Sequence, residues 1–281
     1  FDAIIPVIHH DKPLAYVLVS RIETKTDKKI KDDHLYLSFI QTLSNIVSVA
    51  IENKSILKKS LAQEAIKKEL EVAREMQKLL FPDFSNLPSN FKMDISAKFI
   101  PRHAIGGDYY DFIPLGDDEY IFCIADVSGK GITAALLMAN FQATIRTLFR
   151  YQRFEMAFLM EELNKKVMKS AKGEKFITFF IGHYNAFTRE MKYINAGHNQ
   201  PFILHGNSSK LLDIGCIGLG MMDEIPNIEV GKINIPPKST LIMYTDGVVE
   251  QENYKGEQFG LKRLIKEVKA FSRATKAGGL S

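Results

Sequence analysis

The sequence predicts a layered α+β protein built on antiparallel sheet and entered through a long helix. Three observations carry that prediction. Strand-like apolar runs recur at 93–100, 120–125, 176–184, 191–196, 201–205, 228–235 and 240–245. Two long helical patterns, 131–150 and 154–171, sit side by side between groups of strands instead of alternating with them. The runs 176–184 and 191–196 are joined only by "NAFTRE", a link short enough to favour an antiparallel hairpin. With 281 residues, 46% hydrophobic and 25% charged, the chain can hold one sizeable domain and a smaller element.

Taken in order, residues 1–23 carry two apolar runs, "AIIPVI" and "AYVLVS", around the turn-rich "HHDKP", which predicts a hairpin. His9, His10 and Asp11 in that turn read as a solvated corner rather than a metal site. After a Lys-rich loop, Leu35, Phe39, Leu43, Ile46, Val47 and Ala50 recur at three- and four-residue steps, predicting a helix over 34–53. Residues 1–53 are few for an independent core. They resemble the last strands and closing helix of a GAF-type sensory domain, so they are expected to be a partial sensory remnant. The opening Phe1 fits a piece of a longer product.

The helical pattern then runs without Gly or Pro to Pro82. Ile66, Leu70, Ala73, Met76 and Leu80 make one apolar stripe on an otherwise charged linker, 54–82. Such a stripe either seeds a coiled coil, giving a homodimer, or packs on the chain's own domain. Pro82 and "DFSNLPSN" end the helix, and 83–281 forms the third region, with a last helix starting near Gly260.

Composition excludes several classes. The net charge of +4 is mild and no basic block is dense enough for nucleic acid. No apolar run approaches the roughly 20 residues of a membrane-spanning helix. Cys123 and Cys216 have no CxxC spacing, as expected of free thiols in a cytoplasmic protein.

Three aspartates stand out. Asp126 follows the apolar "YIFCIA" and precedes Val127, Ser128 and Gly129; Asp246 follows "LIMYT" and precedes Gly247; Asp108 follows Gly106 and Gly107. Any one of them reads equally as a turn-former. If their strands are neighbours, the carboxylates converge, and like charges held close need a counter-ion. One lysine, Lys130, cannot neutralise three acids. Oxygen-only ligands select a hard divalent cation, Mg²⁺ or Mn²⁺, and no His/Cys spacing for zinc occurs. "VSGKGIT" lacks the spacing of a phosphate loop, and "GxSxG" is absent.

"GGDYYDF" (106–112), "ADVSGKGITAALLMA" (125–139), "NAGHNQP" (195–201) and "YTDGVVE" (244–250) occur in an order and spacing that resembles the PPM family of metal-dependent serine/threonine phosphatases. The similarity is to its bacterial branch of sporulation stage II E and stress-response regulatory phosphatases, and "EVAREMQKLLFP" (71–82) resembles the segment leading into that domain. The resemblance implies two antiparallel sheets packed face to face, flanked by helices. It implies hydrolysis of phosphoserine or phosphothreonine with two Mn²⁺ or Mg²⁺ ions, a metal-bound water as nucleophile and no catalytic side chain. Asp126 would bridge both ions, the Val127 carbonyl would serve one and Asp246 the other, and Asp108 would hold the second directly or through water. His198 would neighbour the site, and Gly107, Gly129 and Gly247 would keep backbone close to it. The implied substrate is a phosphorylated regulatory protein such as an anti-sigma-factor antagonist.

The family's last strand, with a further metal-binding Asp in an Asp-Asp-x-Thr stretch, has no counterpart among the 35 residues after Asp246. The ion beside Asp246 is therefore expected to bind weakly. An active phosphatase and a catalytically weak, dimeric signalling module of the same fold both remain open.

Overall fold

Apolar residues on either side of a short turn close the first hairpin: β1 (Ala3–His9) pairs antiparallel with β2 (Lys12–Val19), from Ala3↔Val19 to His9↔Lys12. The computed structural model describes residues 3–9, 12–19, 33–84, 93–101, 104–116, 118–151 and 155–278. His10, Asp11 and the Lys-rich loop therefore lie outside the described residues. The chain divides into two compact units, Phe1–Leu70 and Glu71–Ser281.

With no Gly or Pro in its interior, α1 (Asp33–Lys78) runs unbroken for 46 residues, through the boundary between the units. Its first part leaves Phe39, Leu43, Ile46, Leu57, Leu61 and Ile66 more than half exposed. The expected stripe divides: Ile66 and Met76 are exposed, whereas Leu70 and Leu80 are half-buried. The helix stops on tightened i→i+3 bonds, Leu80 N–H to Gln77 C=O and Phe81 N–H to Lys78 C=O, just before Pro82. Leu80 and Phe81 then pack on the core of the second unit.

In that unit follow β3 (Tyr109–Gly116), β4 (Glu119–Val127), α2 (Ile132–Tyr151), α3 (Met156–Ala171), β5 (Ile177–Asn185), β6 (Glu190–Ala196), β7 (Phe202–His205), β8 (Ser208–Leu211), β9 (Gly215–Cys216), β10 (Gly231–Asn234), β11 (Thr240–Ile242), α4 (Asp246–Val249) and α5 (Leu261–Gly278). A larger sheet runs β10-β6-β5-β4-β3, with β9 added in parallel to β6 and every other pairing antiparallel. A three-stranded antiparallel sheet runs β11-β7-β8.

Side chains alternate across a strand, and the larger sheet uses both faces. Odd-numbered Ile121, Cys123, Ala125 and Val127 of β4 pack with Phe179 and Ile181 of β5 against Met138, Phe141 and Ile145 of α2 and Leu159 and Leu163 of α3. Even-numbered Phe122, Ile124 and Phe180 turn the other way, onto Ile203 and Leu241 of the small sheet. The result is two sheets face to face with the α2–α3 pair on the outer face of the larger one, in agreement with the predicted α+β class.

One expectation needs correction. Residues 93–100 form no strand among those described: they find no ladder partner, although Met93 and Ile95 pack beneath the small sheet's cluster. The strand that occupies the sheet edge is β3, whose Gly and Pro content hid it. An edge strand tolerates Pro114 because one side of its ladder is unused. The last helix expected near Gly260 is α5.

Candidate metal centre

Ladder register sets the geometry of this site. Tyr109 lies opposite Ala125 in the β3–β4 ladder, so Asp108, one step before β3, stands level with Asp126 near the end of β4. By the same alternation both carboxylates project toward the face shared by the two sheets, at its open end. Like charges at opposed ladder positions are destabilising. The two carboxyls interact side chain to side chain, which lowers Asp108 and raises Asp126. Burial, the charge of Asp108 and then that of Asp246 push the Asp126 carboxyl up to about 7. Burial also raises Asp108, opposed by the Thr245 hydroxyl, which donates to Asp108 Oδ2 at 3.0 Å. That bond ties the turn after β11 to the loop before β3, across 137 positions of sequence.

Asp246 opens the single turn of α4, with Glu250 one turn further on, its N–H bonded to the Asp246 carbonyl. Both acids raise Asp126 through space. Among the described residues, no ion pair reaches Asp108, Asp126 or Asp246, and Lys130 is exposed. Nor do any three described His, Cys, Asp or Glu side chains close into a ligand cage. The arrangement is a carboxylate pair in contact, with two further acids acting at longer range. An octahedral, hydrated cation such as Mg²⁺ suits that donor set, since it is held by one or two carboxylates and keeps several waters.

The glycines differ in what they do. A Cβ on Gly107 would meet the Val127 carbonyl oxygen at 2.9 Å and the Val127 and Ala134 Cβ atoms at 3.2 and 3.3 Å, so glycine lets the Asp108 loop close onto Val127. Gly129 has φ +91, which an L side chain rarely adopts, and the Lys175 side chain lies where its Cβ would be. No such need exists at Gly247, which has an ordinary φ and open space around it because it sits on the exposed side of α4.

Both ring nitrogens of His198 are bonded to groups other than the carboxylates. It is 4% exposed and links the backbones that carry them. A carbonyl can only accept, so Nε2–H donates to Tyr244 C=O at 3.2 Å. Nδ1 is then the acceptor for the Thr178 hydroxyl at 3.0 Å, and Thr178 is the ladder partner of Asp126. Burial lowers the imidazole to about 4, so the ring is neutral and this tautomer is fixed. Asn195 holds the turn, accepting from His198 N–H at 2.7 Å and donating to Leu212 C=O at 3.1 Å. An open cleft of ≈ 370 Å³ lies beside it, lined by Gly197–Gln200, Tyr244, Val249 and Leu261.

Sequence reasoning missed Thr245, Glu250 and Asp111. The first two sit inside "YTDGVVE", and the four-residue step from Asp246 to Glu250 was the available signal. Asp111 projects to the opposite face, where Arg146 of α2 grips it with two bonds of 2.7 and 2.9 Å. Cys123 is buried and Cys216 half-buried; burial raises both thiols, Cys216 to about 11, which leaves them unreactive.

The fold of the second unit is shared with a solved structure. The SiaA-PP2C domain of Pseudomonas aeruginosa superposes with a TM-score of 0.62 at 21% identity, over 74% of this chain and 83% of that one. The sequence profile described as stage II sporulation protein E (SpoIIE) matches residues 116–280, and the chain belongs to that family. Protein IcfG of Synechocystis sp. is 31% identical over 258 residues, 79% of this chain and 40% of that protein. Phosphoserine phosphatase RsbU of Bacillus subtilis is 30% identical over 210 residues, 73% of this chain and 61% of that protein. The chain thus spans about half the length of these curated relatives.

Proposed function

We propose that this chain is a metal-dependent phosphoprotein phosphatase that hydrolyses phosphoserine or phosphothreonine on a regulatory protein. The observation that carries the reading is the Asp108–Asp126 pair, two interacting carboxyls with no ion pair to either among the described residues. Asp126 would serve both of two Mn²⁺ or Mg²⁺ ions, with Asp108, Asp246 and the Val127 carbonyl completing the protein's share. Such ions would supply a water activated near neutral pH and positive charge for the phosphate oxygens.

The rest falls to the chain. Asp108 and Asp126 would hold a metal as carboxylates, which would couple its affinity to pH. Thr245 holds Asp108 toward the turn that carries Asp246, and His198 fixes the spacing of the two carriers. The cleft between Gln200 and Leu261 opens next to this centre and offers room for the residues flanking a phosphoserine. Similarity to RsbU, a phosphoserine phosphatase, favours a small phosphorylated regulator such as an anti-sigma-factor antagonist as substrate.

The exposed apolar residues of α1 support a second element of the reading, a homodimer joined through 54–82. Light scattering at micromolar concentration should give twice the chain mass, and a monomer would remove this element. No described helix is long and apolar enough to cross a membrane.

A Mn²⁺ titration against a generic phosphate ester tests the whole. Hydrolysis should saturate with metal, vanish in excess EDTA and return on adding Mn²⁺ back. Undiminished turnover once metal analysis shows the protein stripped would overturn the metal role. No turnover at any metal concentration would leave the weak signalling module, a reading favoured by the lack of a closed acid cage among the described residues.

A further inference from the structure

The buried end of α1 is bonded to the loop that carries Asp108. Gln77, on the last turn of the helix, is only 5% exposed. Its Nε2 donates to the Gly106 carbonyl at 2.8 Å, and its Oε1 accepts from the Gly106 N–H at 3.1 Å. One primary amide thus satisfies both polar groups of a single residue 29 positions away, as a neighbouring strand would. The orientation of the amide is fixed, because a flipped group would set N–H against N–H and oxygen against oxygen.

Gly106 is followed directly by Gly107, whose missing Cβ lets the loop touch the Val127 carbonyl, and then by Asp108. Gln77 is itself immobilised: its carbonyl accepts from Leu80 N–H, Leu80 and Phe81 pack on the core, and Gln142 of α2 donates to the Leu80 carbonyl at 3.3 Å. Among the twenty side chains only Asn shares this donor–acceptor pattern, and it is one methylene too short for the same span. The sequence gives Gln77 no role in the stripe read for the helix, and an amide buried there is costly unless bonded.

We infer that Gln77 is a positioning residue for the metal centre: its double bond to Gly106 sets the Gly106–Gly107–Asp108 loop at the height where Asp108 meets Asp126. The inference rests on the metal-centre reading above. Side chains that hold a ligand-bearing group in place typically govern metal affinity by about 10–100-fold.

The test uses the full chain, with Gln77→Ala and the isosteric Gln77→Glu, which keeps the volume and loses the donor. Mn²⁺ affinity is read from the free-ion electron paramagnetic resonance signal, and amide hydrogen exchange is followed at residues 104–108. Both variants should bind Mn²⁺ about 10–100-fold more weakly and exchange faster in that loop. Gln142→Ala, which loosens the same helix end without touching the loop, should stay within about twofold of wild type by the same scale. Variants that bind Mn²⁺ as tightly as wild type, with only a lower melting temperature, would overturn the positioning role and leave the metal centre standing. Equal weakening by Gln142→Ala would overturn it too, by reducing Gln77 to general stability. Wild-type protein that binds no Mn²⁺ at millimolar concentration would remove the metal centre and this inference together.

Discussion

Asp111 and Asp108 belong to one seven-residue stretch, "GGDYYDF", yet β3 sends them to opposite faces of the larger sheet. Asp111 goes to the helix side. There its carboxylate, fully shielded, takes a bidentate grip from Arg146, the Tyr109 hydroxyl at 2.6 Å and the Phe112 N–H at 2.8 Å. Asp108 goes to the side between the sheets and meets Asp126. One acid is paired with a cation of the chain; the other faces a second acid, with no ion pair to it among the described residues. Burial of a carboxylate is therefore no sign of function by itself, and what separates the two is the charge balance of the neighbours.

The sharpest way to break that contrast is to exchange the consequences. Asp126→Asn should remove about 4 kcal/mol of barrier lowering, roughly a thousandfold in phosphate-ester turnover. Its melting temperature should hold or rise, because a like-charge contact is gone. Arg146→Met should do the reverse. It leaves Asp111 buried without its cation, so denaturant unfolding should report a loss of about 3 kcal/mol, while Mn²⁺ affinity stays within a few fold. Equal loss of activity in both variants would erase the distinction.

A smaller effect comes from His198, buried and uncharged, bonded to the ladder partner of Asp126. Its folded pKa lies below its unfolded one, so its contribution is complete above pH 6.5 and is lost as pH falls toward about 4. At pH 5 the loss should be about 2 kcal/mol relative to His198→Gln. The difference between the two proteins is the quantity to measure, since Asp126 works in the opposite sense. Its raised carboxyl stabilises the metal-free fold in acid, and that contribution fades as pH rises through about 7. Parallel stability curves for wild type and His198→Gln between pH 4 and 7 would refute the role given to the imidazole.

Legibility from sequence followed how local each signal was. The β5–β6 hairpin and both long helices were readable because alternation, helical period and a six-residue link are all local patterns. β3 was not, since Asp111, Pro114 and Gly116 within it and the glycines and aspartates that flank it made it look like loop. β8, "SSKL", was invisible because three of its four side chains face solvent. The apolar stripe of α1 could be counted but not assigned, as nothing in the spacing told the packed Leu80 from the exposed Met76.

The sequence by itself determined which acids could matter and the kind of ion they suit. A carboxylate at the end of an apolar strand beside glycine, with no cysteine or histidine cluster, already selects oxygen-loving divalent cations. Only the tertiary structure decided that Asp108 stands against Asp126 while Asp111 meets Arg146, and that Gln77 reaches Gly106. Those outcomes depend on the register of two strands and on where α1 and α2 cross them. Both are fixed by packing between distant segments, which no local pattern of residues encodes.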